Sequence, residues 1–162
     1  MIPSTTPAAG PVLCFGEMLW DLLPHGAFPG GAPFNVACHL HQLGVPVLPV
    51  SAVGRDARGD RLLSLVEARG ISAQGIARLA DVPTGTVQAE LTPAGDARYT
   101  IAQNVAWDRI PVDGEVAALA PRARALVFGS LALRSEENQR TFTRLAAAVP
   151  TAAWRVFDVN LR

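Results

Sequence analysis

The chain has 162 residues, of which 49% are hydrophobic and 17% charged, and its formal net charge is +0. This composition excludes a disordered chain, indicates one soluble globular domain, and argues against nucleic acid or an anionic membrane as the main partner. The sequence contains arginine but no lysine. A Walker-type phosphate loop and Schiff-base chemistry, which both require lysine, are therefore excluded.

Residues 1–11 are rich in proline, threonine and alanine, which predicts a flexible tail. They lack the pattern of a secretory signal, and the sequence has no apolar run long enough to span a bilayer. Cys14 and Cys38 do not form a C-x-x-C pair, so we expect free thiols and no metal site. These features predict a cytoplasmic protein.

A short apolar run at residues 12–15 predicts a buried first strand that stops at Gly16. Residues 17–23 then alternate loosely, which indicates a second strand. One face of this strand carries Met18, Trp20 and Leu22, and the other carries Glu17, Leu19 and Asp21.

A Gly30-Gly31 turn feeds directly into a predicted helix. Pro33 suits the first turn of that helix, and Gly44 suits the position just past its end. The apolar residues at i, i+4 and i+7 predict the face that packs on the core. They are Val36, Leu40 and Leu43.

The middle of the chain predicts a strand, a helix, a short extended segment and a β-hairpin, in that order. Residues 45–53 indicate a buried strand whose start, with Pro46 and Pro49, lies at an edge or bulge. Residues 56–69 indicate a helix closed by Gly70, and 71–79 a short extended segment. The alternating stretches on either side of the turn at 92–96 predict a β-hairpin over 84–102.

The last third begins with a helix or loop at 107–120, followed by a buried strand at 125–128. Ser135 is placed to cap a helix that Pro150 ends, with Asn138 as a weaker substitute for the glutamate of a capping box. Residues 154–157 predict a fourth core strand.

Apolar strands that alternate with amphipathic helices predict an α/β fold, a mainly parallel sheet with helices on both faces. Ligands bind such sheets beyond the carboxyl ends of the strands. Four strands stop in glycine or polar residues, at 16–17, 54–56, 129–130 and 158–160. Turn-forming residues also end strands that bind nothing, so both interpretations stay open.

Asp21 is the acidic residue that we single out, because a carboxylate at this place can accept hydrogen bonds from two adjacent hydroxyls of a polyol. Arg162, near Asp158 and Asn160, could hold an anionic or hydroxylated ligand. Each is also consistent with an ordinary surface residue. Trp20 and Trp107 either pack on the sheets, which we favour for Trp107, or close over a ligand.

Several spaced motifs together resemble the ribokinase/PfkB carbohydrate kinases, and the last two resemble the bacterial fructokinase branch. They are Gly16-Glu17 with Asp21, Gly30-Gly31-Ala32-Pro33-x-Asn35, Val53-Gly54-x-Asp56-x-x-Gly59, Pro83-Thr84-Gly85, Phe128-Gly129-Ser130, and residues 157–162.

The resemblance implies an ATP-dependent sugar kinase that transfers the γ-phosphoryl group of ATP to a sugar hydroxyl. It implies a Rossmann-like αβα sandwich, with residues 12–162 forming the N-terminal part of one ribokinase-like domain. A small β-sheet lid would comprise residues 18–29 and 84–102. The sugar-binding residues implied are Asp21, Gly30, Gly31 and Asn35, with Asn160 and Arg162 at the same crevice. Lid strands in this family often pair between subunits, so we expect a homodimer formed there or at an exposed sheet edge.

Two departures from the family pattern matter. Val159 stands where the fructokinase branch usually has proline. The family's second signature, an Asp-Thr-x-Gly-Ala-Gly-Asp-like string, is absent from these residues. We therefore expect the catalytic base, the ATP pocket, the Mg²⁺-associated motif and the monovalent-cation loop to lie beyond Arg162, and this chain to be inactive alone.

The same motifs leave other functions open. One is a non-catalytic sugar-binding or dimerisation module. Another is a kinase for a sugar acid such as 2-keto-3-deoxygluconate, or for a nucleoside. In each case we also expect the sheet to end at a partly uncovered strand that favours pairing with another chain.

Overall fold

The computed structural model of the chain describes residues 10–91 and 97–160. The hairpin turn at 92–96, most of the predicted tail and Arg162 lie outside the described residues. The described strands are, in chain order, β1 (Val12–Phe15), β2 (Leu19–Leu23), β3 (Gly26–Gly30), β4 (Val47–Gly54), β5 (Ile76–Leu79), β6 (Gly85–Leu91), β7 (Ala97–Ile101), β8 (Ala125–Gly129) and β9 (Trp154–Asp158). The described helices are α1 (Ala32–Gln42), α2 (Ala57–Ala68), α3 (Gly114–Leu119) and α4 (Glu136–Ala148), with 3-10 turns at Ala106–Asp108, Ala120–Arg122 and Leu131–Arg134.

The strands form two sheets. The larger has the order β5-β4-β1-β8-β9, and its neighbouring strands are all parallel. The smaller has the order β3-β2-β6-β7, with a parallel pair at its centre and an antiparallel pair on each side. The predicted fold class, a mainly parallel α/β sheet, is confirmed.

Helices cover both faces of the large sheet. On one face Ala37 of α1 packs on Cys14 and Val127, and α2 joins a neighbouring cluster through Leu62 and Val66. On the other face the ring of Phe142 in α4 lies 5.4 Å from that of Phe15, centroid to centroid. Adjacent residues of a strand point to opposite faces, so the four-residue β1 contributes to both layers of the core.

The predicted core face of α1 is wrong. Val36 is 36% exposed and Leu43 is 77% exposed, while Leu40 is partly buried. The buried residues are instead Pro33, Phe34 and Ala37. Apolar residues occupy more than one side of this helix, so their spacing alone cannot decide which side faces the sheet.

The predicted role of β9 as a core strand is also wrong, because all five of its residues are exposed. Trp154, Val156 and Phe157 are exposed by 74%, 49% and 48%. β9 pairs with β8 on one side only, so the prediction of a partly uncovered strand at the end of the sheet is confirmed within the described residues.

The prediction that the start of β4 lies at an edge or bulge is correct only in part. β4 lies between β5 and β1, so it is not an edge strand. However, β5 pairs only with the second half of β4, from Ser51 to Gly54. Pro49 therefore precedes the ladder on the β5 side, where the missing N–H of a proline interrupts no strand pairing.

The cap of α4 is as predicted, since the Ser135 hydroxyl accepts the Asn138 N–H at 3.3 Å. Asn138 does not act as a capping-box residue. It is fully buried, and its side chain binds three backbone groups of neighbouring segments. Burial of an amide requires such partners, and they come from tertiary packing rather than from the helix itself.

Cys14 and Cys38 are both free thiols. Burial, with a smaller effect of the nearby Cys38, raises the pKa of the Cys14 thiol to about 12, so this thiol is unreactive at neutral pH. Among the described helices, none has both the length and the hydrophobicity needed to cross a bilayer.

Candidate functional site

The topology places a crevice at the carboxyl ends of β1 and β8. The chain leaves β1 through α1 to β4 on one side, and later returns to the other side of β1 as β8. Strand order reverses at this point, and in open α/β sheets such a reversal opens a cleft beyond the strand ends.

A cavity of about 270 Å³ lies in this crevice. Five parts of the chain form its wall: the segment from the end of β1 into β2, the start of α1, the β6–β7 hairpin, the segment after β8, and the end of β9 with the residues that follow it. The lining residues are Glu17, Leu19, Asp21, Gly31, Ala32, Asn35, Val87, Tyr99, Ile101, Leu131, Asp158 and Asn160.

The alternation predicted for residues 17–23 is confirmed. Glu17, Leu19 and Asp21 line the cavity. Met18, Trp20 and Leu22 point the other way, into the cluster that α2 covers. The Trp20 indole N–H donates to the Arg58 carbonyl at 3.0 Å, so this tryptophan packs against α2 and does not close over the cavity.

Glu17 lines the cavity and belongs to one of the family motifs, but it is not among the binding residues that the sequence predicts. Its side chain is almost wholly buried, at 2% exposure, and its Oε1 accepts the Ala32 N–H at 3.0 Å. This bond satisfies one of the N–H groups that a helix start leaves unpaired, and it holds the start of α1 beside the end of β1. A glutamate inside the apolar run 12–20 is the signal that could have found it.

The two glycines of the turn have different surroundings. Gly31 lines the cavity with φ at 115°, and a Cβ there would lie 2.2 Å from the Glu17 carbonyl oxygen. Gly30 is buried and is not among the lining residues. A Cβ on Gly30 would lie 2.1 Å from Oδ2 of Asp21. Both positions need glycine because another part of the chain approaches the backbone closely.

Two asparagines from different parts of the chain line the cavity. Asn35 is an exposed residue in the first turn of α1. Asn160 follows β9, has a left-handed φ of 46°, and donates its backbone N–H to Oδ1 of Asp158 at 3.0 Å. Ser130, which follows β8, donates its hydroxyl to the Val159 carbonyl at 2.8 Å and so ties these two strand ends together.

The structure therefore brings four of the predicted binding residues to one cavity: Asp21, Gly31, Asn35 and Asn160. Gly30 packs behind Asp21, and Arg162 lies outside the described residues. The sequence did not predict three cavity residues of the hairpin, which are Val87, Tyr99 and Ile101. An alternating pattern shows that a hairpin has two faces, but it does not show which face lies against the cavity.

The described residues contain no group of three or more His, Cys, Asp or Glu side chains that could hold a metal ion. The carboxylates at the cavity belong instead to a surface that offers hydrogen-bond acceptors, which is what hydroxyl groups of a ligand require.

Comparison with known proteins decides the family. Residues 26–162 match the pfkB family of carbohydrate kinases, which is more than half of the chain. The chain belongs to the pfkB family. The resemblance found in the motifs is thereby confirmed.

Individual pfkB relatives agree with this assignment. Fructokinase-2 of Zea mays is 29% identical over 165 residues, which are 93% of this chain and 49% of the maize protein. The crystal structure of fructokinase with bound ATP from Xylella fastidiosa has a TM-score of 0.82 at 27% identity, covering 93% of this chain and 49% of that one. An ATP complex of an uncharacterized sugar kinase from Pyrococcus horikoshii has a TM-score of 0.83 at 26% identity, covering 93% and 53%. The chain spans about half the length of the curated relatives it matches.

Proposed function

We propose that this pfkB chain forms the sugar-binding part of an ATP-dependent sugar kinase of the fructokinase type. The observation that carries the proposal is that Asp21, Gly31, Asn35 and Asn160 meet in one cavity at the strand-order reversal. The fructokinases among its relatives support the choice of substrate class.

The size and chemistry of the cavity suit a small polyol. Pockets that hold drug-sized ligands measure about 300–1,000 Å³. At about 270 Å³ this cavity is smaller, as expected for a monosaccharide. The Asp21 carboxylate accepts two adjacent hydroxyls, and the amide of Asn35 both donates and accepts hydrogen bonds.

The acidic lining favours a neutral sugar over a sugar acid. Glu17, Asp21 and Asp158 line the cavity, and among the described lining residues none is a lysine or an arginine. A ligand carboxylate placed beside these groups would be repelled, and that repulsion is strongest where water is excluded. A fructose-like substrate is therefore favoured over 2-keto-3-deoxygluconate.

We propose that ATP, its Mg²⁺ and the catalytic base are held by parts of the kinase fold outside these 162 residues. Phosphoryl transfer depends on cations or N–H groups that stabilise charge at the γ-phosphate. The cavity described above supplies carboxylates, which would oppose that charge. The whole kinase would place the γ-phosphoryl group against a hydroxyl that Asp21 orients.

We further propose that β9 is covered in the working protein by that missing part of the fold. Among the strands that the structure describes, none pairs with the outer edge of β9, and this strand exposes three apolar side chains to solvent. The chain also spans about half the length of its relatives. Added strands would pair with the free edge and bury these side chains. Pairing of lid strands between two subunits remains the other candidate contact.

The test of the sugar site is isothermal titration calorimetry of the chain with D-fructose, D-ribose, 2-keto-3-deoxygluconate and adenosine. We expect fructose to bind best, and Asp21→Asn to weaken binding about 10- to 100-fold, since hydrogen bonds to a charged group are worth about 1.5–3 kcal/mol. Asp113→Asn is the matched control, because Asp113 is exposed and makes no side-chain cap bond.

Two results would overturn these proposals. Unchanged fructose affinity in Asp21→Asn would remove Asp21 from the site. Steady turnover of fructose and ATP by the purified chain alone, in a coupled assay, would refute the claim that the catalytic base lies elsewhere.

A further inference from the structure

Trp107 and Arg134 form a stack behind the β6–β7 hairpin. Trp107 is fully buried, and the Cζ of Arg134 lies 4.0 Å from the centroid of its ring. The guanidinium also makes a two-point ion pair with Asp108, with Nε to Oδ1 at 2.8 Å and Nη2 to Oδ2 at 2.9 Å. Paired and stacked at once, this arginine is held in one orientation.

Each end of the hairpin touches this stack. Nη2 of Arg134 donates to the Ala102 carbonyl at 2.6 Å, directly after β7. On the other side of the stack, Gly85 begins β6 against the edge of the indole, and a Cβ there would lie 2.1 Å from Nε1 of Trp107. The Ala102 N–H donates to the Thr86 carbonyl at 3.0 Å and joins the two ends of the hairpin.

The contact between Gly85 and Trp107 has a cost. Nε1 of Trp107 is buried and has no hydrogen-bond partner among the described residues. A buried donor left unpaired is unfavourable, so a sequence that keeps one there needs a compensating gain. The compensating gain here is that the start of the hairpin packs closely against the indole.

The hairpin in turn forms one wall of the candidate sugar cavity. Val87 lies two residues after Gly85, and Ile101 lies directly before Ala102. Both line the cavity, and so does Leu131, which begins the 3-10 turn that Arg134 ends. The stack is therefore linked to two walls of the cavity without itself lining it.

We infer that Arg134 is a positioning residue: through its contacts with Trp107, Asp108 and Ala102, it sets where the β6–β7 hairpin lies over the cavity. This inference rests on the proposed function, because it assigns the hairpin position a role in sugar affinity. It makes Arg134 a determinant of how well the hairpin closes on the ligand.

The test compares Arg134→Gln with wild type by hydrogen exchange and by fructose calorimetry. We expect amide exchange to accelerate about tenfold in residues 85–88 and 99–102, with wild-type rates in β1, β4 and β8. We expect the fructose Kd to rise about tenfold, since apparent affinity falls with the fraction of chains in the competent arrangement. Arg134→Lys keeps the charge but neither the planar stack nor the two-point pair, so it is expected to resemble Arg134→Gln.

Two controls separate positioning from other effects. Arg140→Gln removes an exposed arginine of α4 whose ion pair with Glu136 has an N–O distance of 3.6 Å, and it is expected to change neither readout. Asp21→Asn is expected to weaken fructose binding and shows that the calorimetry detects the loss of a direct sugar contact. If Arg134→Gln fails to fold, Gly85→Ala presses on the indole from the other side and is expected to accelerate the same hairpin amides.

The outcomes are distinguishable. Unchanged hairpin exchange in Arg134→Gln overturns the inference, whatever the sugar does. Accelerated exchange with unchanged fructose affinity also overturns it, because the hairpin position would then not matter to binding. If wild type binds none of the sugars, the proposed function fails, and hairpin exchange alone decides whether Arg134 positions the hairpin.

Discussion

A contact between Asp56 and Thr84 connects the end of β4, the start of α2 and the start of β6. Oδ1 of Asp56 accepts the Gly59 N–H at 2.8 Å and so caps α2. The same carboxylate accepts the Thr84 N–H and the Thr84 hydroxyl, each at 2.8 Å. The Thr84 hydroxyl oxygen also accepts the Gly54 N–H at 2.9 Å. We predict that Asp56→Ala loosens all three elements at once.

The expected loss follows from these contacts. Loss of the helix cap costs about 1 kcal/mol. Loss of the two Thr84 bonds, taken at the lower end of the range because Asp56 is partly exposed, costs about 2 kcal/mol more. We expect Asp56→Ala to lower the free energy of unfolding by about 3 kcal/mol in total, and Asp56→Ala with Thr84→Val to cost less than the sum of the single changes, because they share bonds.

The effect should depend on pH with a definite sign. Burial acts to raise the pKa of Asp56, but hydrogen bonds from Thr84, Gly59 and Arg58 outweigh it and hold this pKa below its ordinary value. A carboxylate whose pKa is lowered by folding stabilises the fold above its unfolded pKa, which is about 3.9 for aspartate. That stabilisation is lost as pH falls through the lower folded pKa.

Urea unfolding at pH 7, 5, 4 and 3 measures both effects. The difference between wild type and Asp56→Ala is expected to be constant from pH 7 to 5 and to narrow at pH 3. Asp60→Ala removes an exposed ion pair with Arg78 and the acidic side chain of the first turn of α2, and it is expected to cost about 1 kcal/mol or less. A difference below about 1 kcal/mol at pH 7 would refute the reasoning, and so would one that persists unchanged at pH 3.

Two further predictions concern the buried amide and the open sheet edge. Asn138→Ala removes three hydrogen bonds, each 2.8 Å long, to the backbone of Ile110, Trp107 and Ala132. We expect it to lower the free energy of unfolding in urea by about 3 kcal/mol, whereas Gln139→Ala, at the exposed neighbouring position, lowers it little. Equal urea midpoints for the two variants would contradict this prediction. In sedimentation velocity, we expect the chain to associate as its concentration rises and Val156→Lys on β9 to reduce this association. Val36→Lys, which replaces an exposed valine of α1, is the control and is expected to leave association unchanged. A monomer at all concentrations would argue against an exposed docking edge.

Most elements could be predicted because their signals are local. The alternation of residues 17–22 assigned each side chain to the correct face, since the period of two is a property of the extended backbone. Gly44 and Ser135 marked helix ends for the same kind of reason. The proximity of Asp21, Gly31 and Asn35 could also be predicted, because β2, the glycine turn and α1 follow one another closely along the chain.

Other features escaped local reasoning. Spacing in α1 selected Val36 and Leu43, yet both are exposed, because the sheet packs on a different arc of an apolar helix. Asn138 was assigned to a cap, but its partners lie in the turn 28–31 residues earlier and in the turn before α4. Pattern-based prediction compares a residue with its neighbours along the chain, so it has no access to partners this distant.

The amino-acid sequence alone was sufficient for most strands and helices, the faces of β2, the ends of α1 and α4 and the family motifs, because each depends on residues within a few positions of one another. It did not predict β3, and it left open whether residues 107–120 form a helix or a loop. Only the tertiary structure decided that Gly30 leaves room for the Asp21 carboxylate, that Glu17 holds α1, and that Arg134 reaches Ala102. Those contacts arise when parallel strands bring distant chain segments to one end of the sheet, and no periodicity along the chain encodes the distances between them.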